Sequence, residues 1–261
     1  MSISPLKLRV KELDPELIPP NTKNAHRPEY GGSKIIVIGK PHTGKSTLIA
    51  SLLYAKKHII PTAMVMSGTE DSNGFYQQFI PSSFVYNEYN EEKIKDFVKR
   101  QKIAKEYCQN PWSALVVDDC TDEPKIFNKP VQHGLFKRGR HFKFLYILSL
   151  QYAMDIRPVI RMNVDGVFIL REANPKIRKS LWENYAGIIS DYSVFCSLMD
   201  QLTEDFHAIY IDNTSQKADW ESCVYYYKAP IHLLKDFKFG CKDYWAFHEK
   251  RYNTEYTNSF M

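Results

Sequence analysis

A glycine-rich loop between an apolar run and an amphipathic segment constrains this chain more than any other feature. Residues 39–46 read GKPHTGKS and fit the pattern G-x-x-x-x-G-K-[ST], which binds phosphate groups. Residues 35–38 form an apolar run of β type, which predicts a buried parallel strand. Apolar residues then recur at helical spacing over residues 48–53. The stretch therefore predicts a strand, a loop and a helix in that order.

The residue types of the loop indicate how it would bind a phosphate chain. Gly39 and Gly44 permit backbone conformations and close approach that a Cβ would block. Backbone N–H groups and the helix N-terminus then face the phosphates, Lys45 reaches the β- and γ-phosphates, and the Ser46 hydroxyl binds Mg²⁺. A turn before a core helix is the alternative interpretation. We predict ATP and Mg²⁺ as the cofactors, and expect the nucleotide to contact Gly39, Lys40, Pro41, His42, Thr43, Gly44, Lys45, Ser46 and Thr47.

A second apolar run ends in two carboxylates. Residues 114–119 read ALVVDD, which predicts a buried strand followed by Asp118 and Asp119. In phosphate-loop NTPases an acid at this point holds Mg²⁺ through the metal's coordination shell, and we assign that role to Asp118. Asp119 is then placed to accept a proton from the water that attacks the γ-phosphate. A strand followed by an acidic turn is the alternative.

A polar amide follows the next apolar run directly. Residues 144–149 (FLYILS) predict a buried strand, and Gln151 comes two positions after it. A glutamine there can sense the γ-phosphate or orient the attacking water, or it can cap the backbone at the strand end. In kinases and GTPases the acid strand neighbours the loop strand, whereas in the additional-strand ATPases a strand ending in a polar sensor separates them. Gln151 favours the second layout.

The remaining periodicity predicts strands that alternate with helices, which indicates a mostly parallel sheet. The predicted fold class is α/β, a RecA-like phosphate-loop NTPase of the additional-strand type, with an edge hairpin. A loop over residues 68–73 is expected at the ligand-binding edge of the sheet. The other predicted elements are strands over 62–67, 84–89 and 164–170, helices over 91–108, 175–185 and 190–202, and a hairpin or edge strands over 207–212 and 223–228.

Three segments are expected from composition. Residues 1–30 contain five prolines and predict an extended arm that lies on this domain or on a neighbour, or else a frayed end, with a short strand over 6–10. Residues 31–228 form the predicted ATPase domain. Residues 229–261 are rich in aromatic and basic side chains and form an extension that docks on the domain or on a partner.

Charge and cysteine content bear on the kind of partner and on the cellular compartment. The net charge is +5, which suits a polyanionic partner without demanding one. Five cysteines without a C-x-x-C pair predict reduced thiols in an intracellular protein. No apolar run approaches the ~20 residues that span a membrane, and the charged, proline-rich start is unlike a signal peptide. The basic side chains concentrate within residues 131–143, either as a solvated face or as a contact for DNA: Lys137, Arg138, Arg140, His141 and Lys143.

Three motifs taken in order resemble a known family. GKPHTGKS, LVVDDC and the span GRHFKFLYILSLQYAMDIRPVIRMNVDGVFIL are similar to the poxvirus-type DNA-packaging ATPases of nucleocytoplasmic large DNA viruses, a branch of the FtsK–HerA superfamily. The similarity covers residues 31–212. It implies a ring-forming homo-oligomer that threads double-stranded DNA into a preformed capsid, with a capsid or vertex protein as a further partner. The implied location is the assembly site of an infected cell, with the virion as a second location.

The resemblance also implies residue roles. Lys45, Asp119 and Gln151 take the catalytic positions, and the arginine that acts across subunits maps to Arg138 or Arg140, or to Arg161. Two departures are visible: FtsK-like enzymes usually have Asp-Glu at the acidic pair, and small residues are common where this loop has Pro-His-Thr. The competing classes are a nucleotide-gated switch or capsid-docked structural subunit without motor activity, and a phosphotransferase that acts on a small acceptor.

Overall fold

A computed structural model of the protein describes residues 10–120 and 124–251. Within these residues nine strands form one sheet. Their bounds are β1 (Lys11–Glu12), β2 (Lys34–Ile38), β3 (Thr62–Ser67), β4 (Val85–Tyr86), β5 (Ser113–Asp118), β6 (Phe144–Leu150), β7 (Gly166–Ile169), β8 (His207–Asp212) and β9 (Val224–Lys228). They lie in the order β1-β9-β8-β7-β2-β6-β5-β3-β4.

The sheet order decides between the two predicted layouts. Strand β6 lies between β2 and β5 and pairs in parallel with both, with Leu148 opposite Ile36 and Tyr146 opposite Leu115. The additional-strand layout is therefore confirmed. Strands β8 and β9 pair antiparallel, as the predicted hairpin requires, and β8 joins the sheet antiparallel to β7.

Helices cover both faces of the sheet. Their bounds are α1 (Lys45–Lys56), α2 (Glu70–Asn73), α3 (Glu91–Tyr107), α4 (Pro130–Arg138), α5 (Pro158–Arg161), α6 (Pro175–Tyr185), α7 (Tyr192–Leu202) and α8 (Lys242–Arg251). Successive residues of β2 point to opposite faces, so Ile35 and Val37 pack in the core with α1, whereas Ile36 and Ile38 pack in the core with α3, α4, α6 and α7. Burial on both faces explains why the central strands read as continuous apolar runs.

Capping residues set the predicted helix starts. The Asn90 side chain accepts a hydrogen bond from the Lys93 N–H and caps α3, which begins at the next residue. Asn174 caps α6 in the same way, and Pro175 takes the first helical position, where its missing N–H costs nothing. Both ends of the described chain also pack on the domain: Ile18, Phe239 and Tyr244 are buried in the same core as α1.

Three predicted elements differ from the structure. The loop predicted over 68–73 contains the short helix α2. The basic stretch predicted over 131–143 is mostly α4 and the turn after it, and it ends in Lys143, which is buried with a left-handed backbone. Residues 6–9 of the strand predicted over 6–10 lie outside the described residues. No helix in the described ranges has the length and apolarity to cross a membrane.

Candidate functional site

The glycine loop lies where β2 ends and α1 begins. Gly44 precedes α1 with φ of +94°, a conformation that only glycine adopts at little cost, and His42 also has a left-handed φ of +63°. The Thr43 hydroxyl donates a 2.7 Å hydrogen bond to the Lys40 carbonyl, and the Gly39 N–H donates to Leu150 of β6. The Pro-His-Thr segment therefore fits the loop with His42 in a strained, left-handed backbone conformation.

Lys45 is the first residue of α1 and is only 6% exposed. Its Nζ donates a 3.1 Å hydrogen bond to the Lys40 carbonyl, which uses one of three N–H donors. Burial lowers the pKa of Lys45, and the nearby carboxylates Asp119 and Asp118 oppose that shift. The result is a buried cation that faces two acids across the loop.

Asp118, the last residue of β5, is fully buried. Its Oδ2 atom accepts 2.7 Å hydrogen bonds from the Ser46 hydroxyl and from the Tyr76 hydroxyl. Its Oδ1 atom is buried and has no hydrogen-bond partner among the described residues. A buried carboxylate oxygen without a partner is costly, and beside the loop serine it provides the kind of ligand that Mg²⁺ prefers.

Tyr76 holds the Asp118 carboxylate from the side opposite the loop. Burial raises the pKa of Tyr76 well above its usual value, and the charge of Asp118 raises it further, so the phenol remains a hydrogen-bond donor. Glu70 fixes the turn that carries this tyrosine, because its buried carboxylate accepts from the backbone N–H groups of Tyr76 and Gln77. No sequence pattern pointed to Tyr76, which lies in a short 3₁₀ turn 42 residues before the acid it contacts.

Asp119 and Gln151 form a second contact at this edge of the sheet. The Gln151 Nε2 atom donates a 2.6 Å hydrogen bond to Asp119 Oδ1. Asp119 has φ of +52°, and a Cβ on Gly68 would lie 2.4 Å from its carbonyl oxygen. Close packing against Gly68 thus holds a strained aspartate, and strained residues cluster at functional sites.

A buried glutamate also reaches the loop. Glu172 Oε1 accepts a 2.8 Å hydrogen bond from Lys40 Nζ, and the same oxygen accepts from the Asn174 N–H. Glu172 follows β7, so its position at the carboxyl end of a strand was the signal that could have identified it.

Two of the three arginines predicted as candidates to act across subunits, Arg140 and Arg161, lie apart from the loop. Arg140 precedes β6 at the amino edge of the sheet, where its guanidinium forms an ion pair with Asp165. Arg161 ends α5, donates a 2.6 Å hydrogen bond to the Ile156 carbonyl and lies 5.9 Å from the Tyr185 ring centroid. In the described part of the chain, neither makes a hydrogen bond to the loop. The structure thus brings together the loop, both acids and Gln151, and leaves both arginines apart from them.

This strand order and loop define a phosphate-loop NTPase fold, and solved structures share it. The genome packaging NTPase B204 from Sulfolobus turreted icosahedral virus 2, in complex with AMP, is 16% identical with a TM-score of 0.54, and the match covers 77% of this chain and 98% of B204. The pCW3 conjugation coupling protein TcpA, with ATPγS, is 15% identical with a TM-score of 0.53, and the match covers 95% of this chain and 74% of that one. At such identities the likeness establishes the fold alone.

Sequence relatives establish the family. The chain is 52% identical to "Uncharacterized protein 088R" of Invertebrate iridescent virus 3, over 91% of this chain and 92% of the relative. It is 38% identical to "Uncharacterized protein 015R" of Frog virus 3, over 91% and 74% of the two chains. It is 28% identical to "Uncharacterized protein L437" of Acanthamoeba polyphaga mimivirus, over 85% and 80%. No model of a known protein family matches the sequence. The chain belongs to the family of large-DNA-virus proteins that contains 088R and 015R.

Proposed function

We propose that this protein is a Mg²⁺-dependent ATPase whose turnover drives double-stranded DNA into a viral capsid. The observation that carries the ATPase part is the buried Asp118 carboxylate, which shares a hydrogen bond with the loop serine and keeps one oxygen without a partner. The packaging part is supported by the viral relatives and by B204, a genome packaging NTPase of the same fold. A capsid or vertex protein is the expected docking partner in an infected cell.

The loop residues supply binding and charge. The N–H groups of residues 39–47 and the start of α1 face the phosphate chain, and Lys45 neutralises charge on the β- and γ-phosphates. Ser46 and Asp118 hold Mg²⁺, which supplies positive charge against the phosphate oxygens when bound. Tyr76 keeps the Asp118 carboxylate in one orientation, because its hydroxyl donates to the oxygen that Ser46 also contacts.

Asp119 is the proposed base. Its carboxylate accepts the proton of the water that attacks the γ-phosphate, and the Gln151 amide fixes the direction of that carboxylate through its 2.6 Å hydrogen bond. Asp is one methylene shorter than the glutamate that is usual in FtsK-like enzymes. The left-handed backbone at Asp119 changes the direction in which this shorter side chain leaves the strand.

DNA coupling is the second half of the proposal. Lys137, Arg138, Arg140 and His141 are exposed on one continuous segment, whereas Lys143 is buried and is excluded from the contact. Such cations bind phosphates without reading sequence, and the affinity falls steeply with salt because counterions are released.

The test is the ATP hydrolysis rate measured against DNA length. A translocase is stimulated more by long double-stranded DNA than by short duplexes at equal nucleotide concentration. The double variant Lys137→Ala/His141→Ala should lose DNA stimulation while keeping the basal rate, and Lys179→Ala on the exposed face of α6 is the matched charge control. Turnover that ignores DNA would instead favour a nucleotide-gated switch, and phosphate transfer to a small acceptor without phosphate release would favour a phosphotransferase.

We further propose that the active form is a ring in which an arginine from the next subunit stabilises charge on the transferring phosphoryl group. Arg161 is favoured over Arg140, because the Arg161 guanidinium donates to the Ile156 carbonyl through one N–H group, whereas Arg140 is ion-paired to a buried carboxylate. Such an arginine is worth roughly 10³ to 10⁵ in rate, and lysine lacks its planar fork of donors.

Subunit mixing tests the arginine. Arg161→Lys rings should be inactive alone, and mixing them with Lys45→Ala subunits should restore some hydrolysis, because some interfaces then contain an intact loop and an intact arginine. Arg157→Lys, on an exposed arginine just before α5, is the control. No recovery in rings shown to exchange subunits would contradict an arginine acting between subunits.

A further inference from the structure

An exposed aromatic ring lies against the glycine loop. Phe206 precedes β8 and is 61% exposed, although burial of a phenylalanine side chain is strongly favourable. A Cβ placed on Gly44 would lie 3.4 Å from Phe206 Cδ1, so the ring edge is next to the residue that begins the loop-to-helix turn. The chain therefore keeps a flat apolar surface beside the proposed phosphate site.

The backbone that presents this ring is strained. Asp205 and Phe206 are consecutive non-glycine residues with left-handed φ values of +52° and +60°. This conformation is a genuine outlier for a bulky side chain, and such outliers persist only where the surroundings hold them. Here the Asp205 carboxylate forms an ion pair with Lys228, and the His207 N–H donates a 3.0 Å hydrogen bond to the Glu204 carbonyl.

The strand order places Phe206 at one particular end of a bound nucleotide. The proposed metal ligand Asp118 and the proposed general base Asp119 lie at the end of β5, which is separated from β2 by β6. These acids define where the γ-phosphate lies. Strands β7 and β8 lie on the other side of β2, and Phe206 is next to β8. A nucleoside triphosphate whose phosphate chain crosses the loop from the β5 side therefore has its nucleobase on the β8 side.

We propose that the Phe206 ring is the platform on which the base of the nucleotide stacks. This inference rests on the proposed nucleotide site and specifies how the base is bound. Stacking on a phenyl ring reads the face of a flat aromatic heterocycle and offers no hydrogen-bonding group, so Phe206 does not itself distinguish adenine from guanine. The ligand class is a nucleoside triphosphate held by its phosphates at the loop and by its nucleobase at Phe206.

Two ligands distinguish the contribution of the nucleobase to binding from that of the phosphates. ATP and inorganic triphosphate, each with Mg²⁺, are titrated into the full chain and into Phe206→Ala, Phe206→Trp and the control Phe247→Ala, which removes a 45% exposed ring from α8. Because base stacking on an aromatic side chain is worth roughly 1–3 kcal/mol, Phe206→Ala should weaken ATP binding about 5- to 150-fold. Triphosphate binding should not change, Phe206→Trp should retain ATP affinity, and Phe247→Ala should behave as wild type.

The outcomes are distinguishable. Wild-type protein that binds neither ligand would overturn the proposed function and this inference together. Wild-type protein that binds both, with Phe206→Ala weakening both equally or neither, would overturn the stacking role and leave the phosphate site intact. A Phe206→Ala variant that lowers the oligomer mass without changing ATP affinity would show instead that the ring packs against another subunit, and would also overturn it.

Discussion

The amino edge of the sheet, where the parallel strands begin, and the carboxyl edge, where they end, carry similar residues in different environments. At the amino edge, Lys143 Nζ donates hydrogen bonds of 2.8 and 2.5 Å to the carbonyls of Arg27 and Tyr30, and Arg140 is ion-paired with Asp165. At the carboxyl edge, Asp118 Oδ1 is buried without a partner among the described residues. A group that is already paired stabilises the fold, whereas a buried carboxylate oxygen without a protein partner beside the loop is a candidate ligand for a cation.

Strain alone does not separate the edges. Lys143 at the amino edge has φ of +55°, close to the +52° of Asp119 at the carboxyl edge. The Lys143 conformation serves the fold, because it directs the ammonium toward two carbonyls of the N-terminal arm. The Asp119 conformation leaves a half-exposed carboxylate next to the loop, held by one amide. The comparison therefore depends on what each strained residue contacts.

The largest expected effect is the loss of the loop cation. Lys45→Ala should leave no detectable ATP hydrolysis, because the γ-phosphate loses its charge partner. The thermal unfolding midpoint should stay close to wild type, since the side chain makes its hydrogen bond to a loop carbonyl and not to the core. Lys57→Ala, just past the other end of α1, is the control. A wild-type rate of ATP hydrolysis in Lys45→Ala would contradict the assignment of the loop to the active site.

The acidic pair should divide into a base and a metal ligand. Asp119→Asn should lower turnover about 10²- to 10⁴-fold with ATP binding intact, because an amide cannot accept the proton of the water. Asp118→Asn should instead weaken the binding of ATP in the presence of Mg²⁺ and have little effect in its absence. Nucleotide titrations that show the reverse pattern would exchange the two roles.

A smaller effect, on stability alone, is expected at the amino edge. Asp165→Asn removes the carboxylate that faces buried Lys34 at 3.5 Å and should lower the free energy of unfolding by about 3 kcal/mol. Arg140 adds little, because its side chain is about half exposed. Asp96→Asn, which breaks the exposed pair with Lys99 on α3, should cost less than about 1 kcal/mol in the same urea titration. Equal losses in the two variants would contradict a structural role for Asp165.

A further effect on stability is a pH dependence at the C-terminal end of α1. Burial lowers the pKa of Lys56 from 10.5 to about 8, and its Nζ donates a 2.7 Å hydrogen bond to the Pro15 carbonyl. The folded state then loses this proton before the unfolded state does, so the unfolding free energy rises between pH 8 and 10.5, by at most about 1.4 kcal/mol per pH unit. Urea titrations of wild type and Lys56→Met across this window should show the difference growing with pH. A constant difference would mean that Lys56 titrates normally.

Local patterns predicted much of the fold and the centre of the site. The loop motif and the apolar periodicity act over a few residues, so the sequence predicted α1, α3, α6 and the central strands. The meeting of Asp119 with Gln151 followed from strand ends that share an edge of one sheet.

Contacts between distant segments could not be predicted in this way. Lys143 looked like part of an exposed basic stretch, but carbonyls more than 110 residues earlier in the chain bury it. Lys56, the last residue of α1, lies under the N-terminal arm for the same reason. Tyr76 and Phe206 acquire their positions from turns whose geometry depends on tertiary packing, which no periodicity in the sequence records.

The most direct test of the account compares one acid from each edge by the same measurement. The initial rate of phosphate release from ATP with Mg²⁺ is measured per folded molecule for Asp119→Asn and Asp165→Asn, beside wild type. The account predicts that Asp119→Asn loses at least about a hundredfold in rate while Asp165→Asn keeps the wild-type rate despite its lower stability. A wild-type rate in Asp119→Asn together with a large loss in Asp165→Asn would contradict it, because the chemistry would then lie at the amino edge.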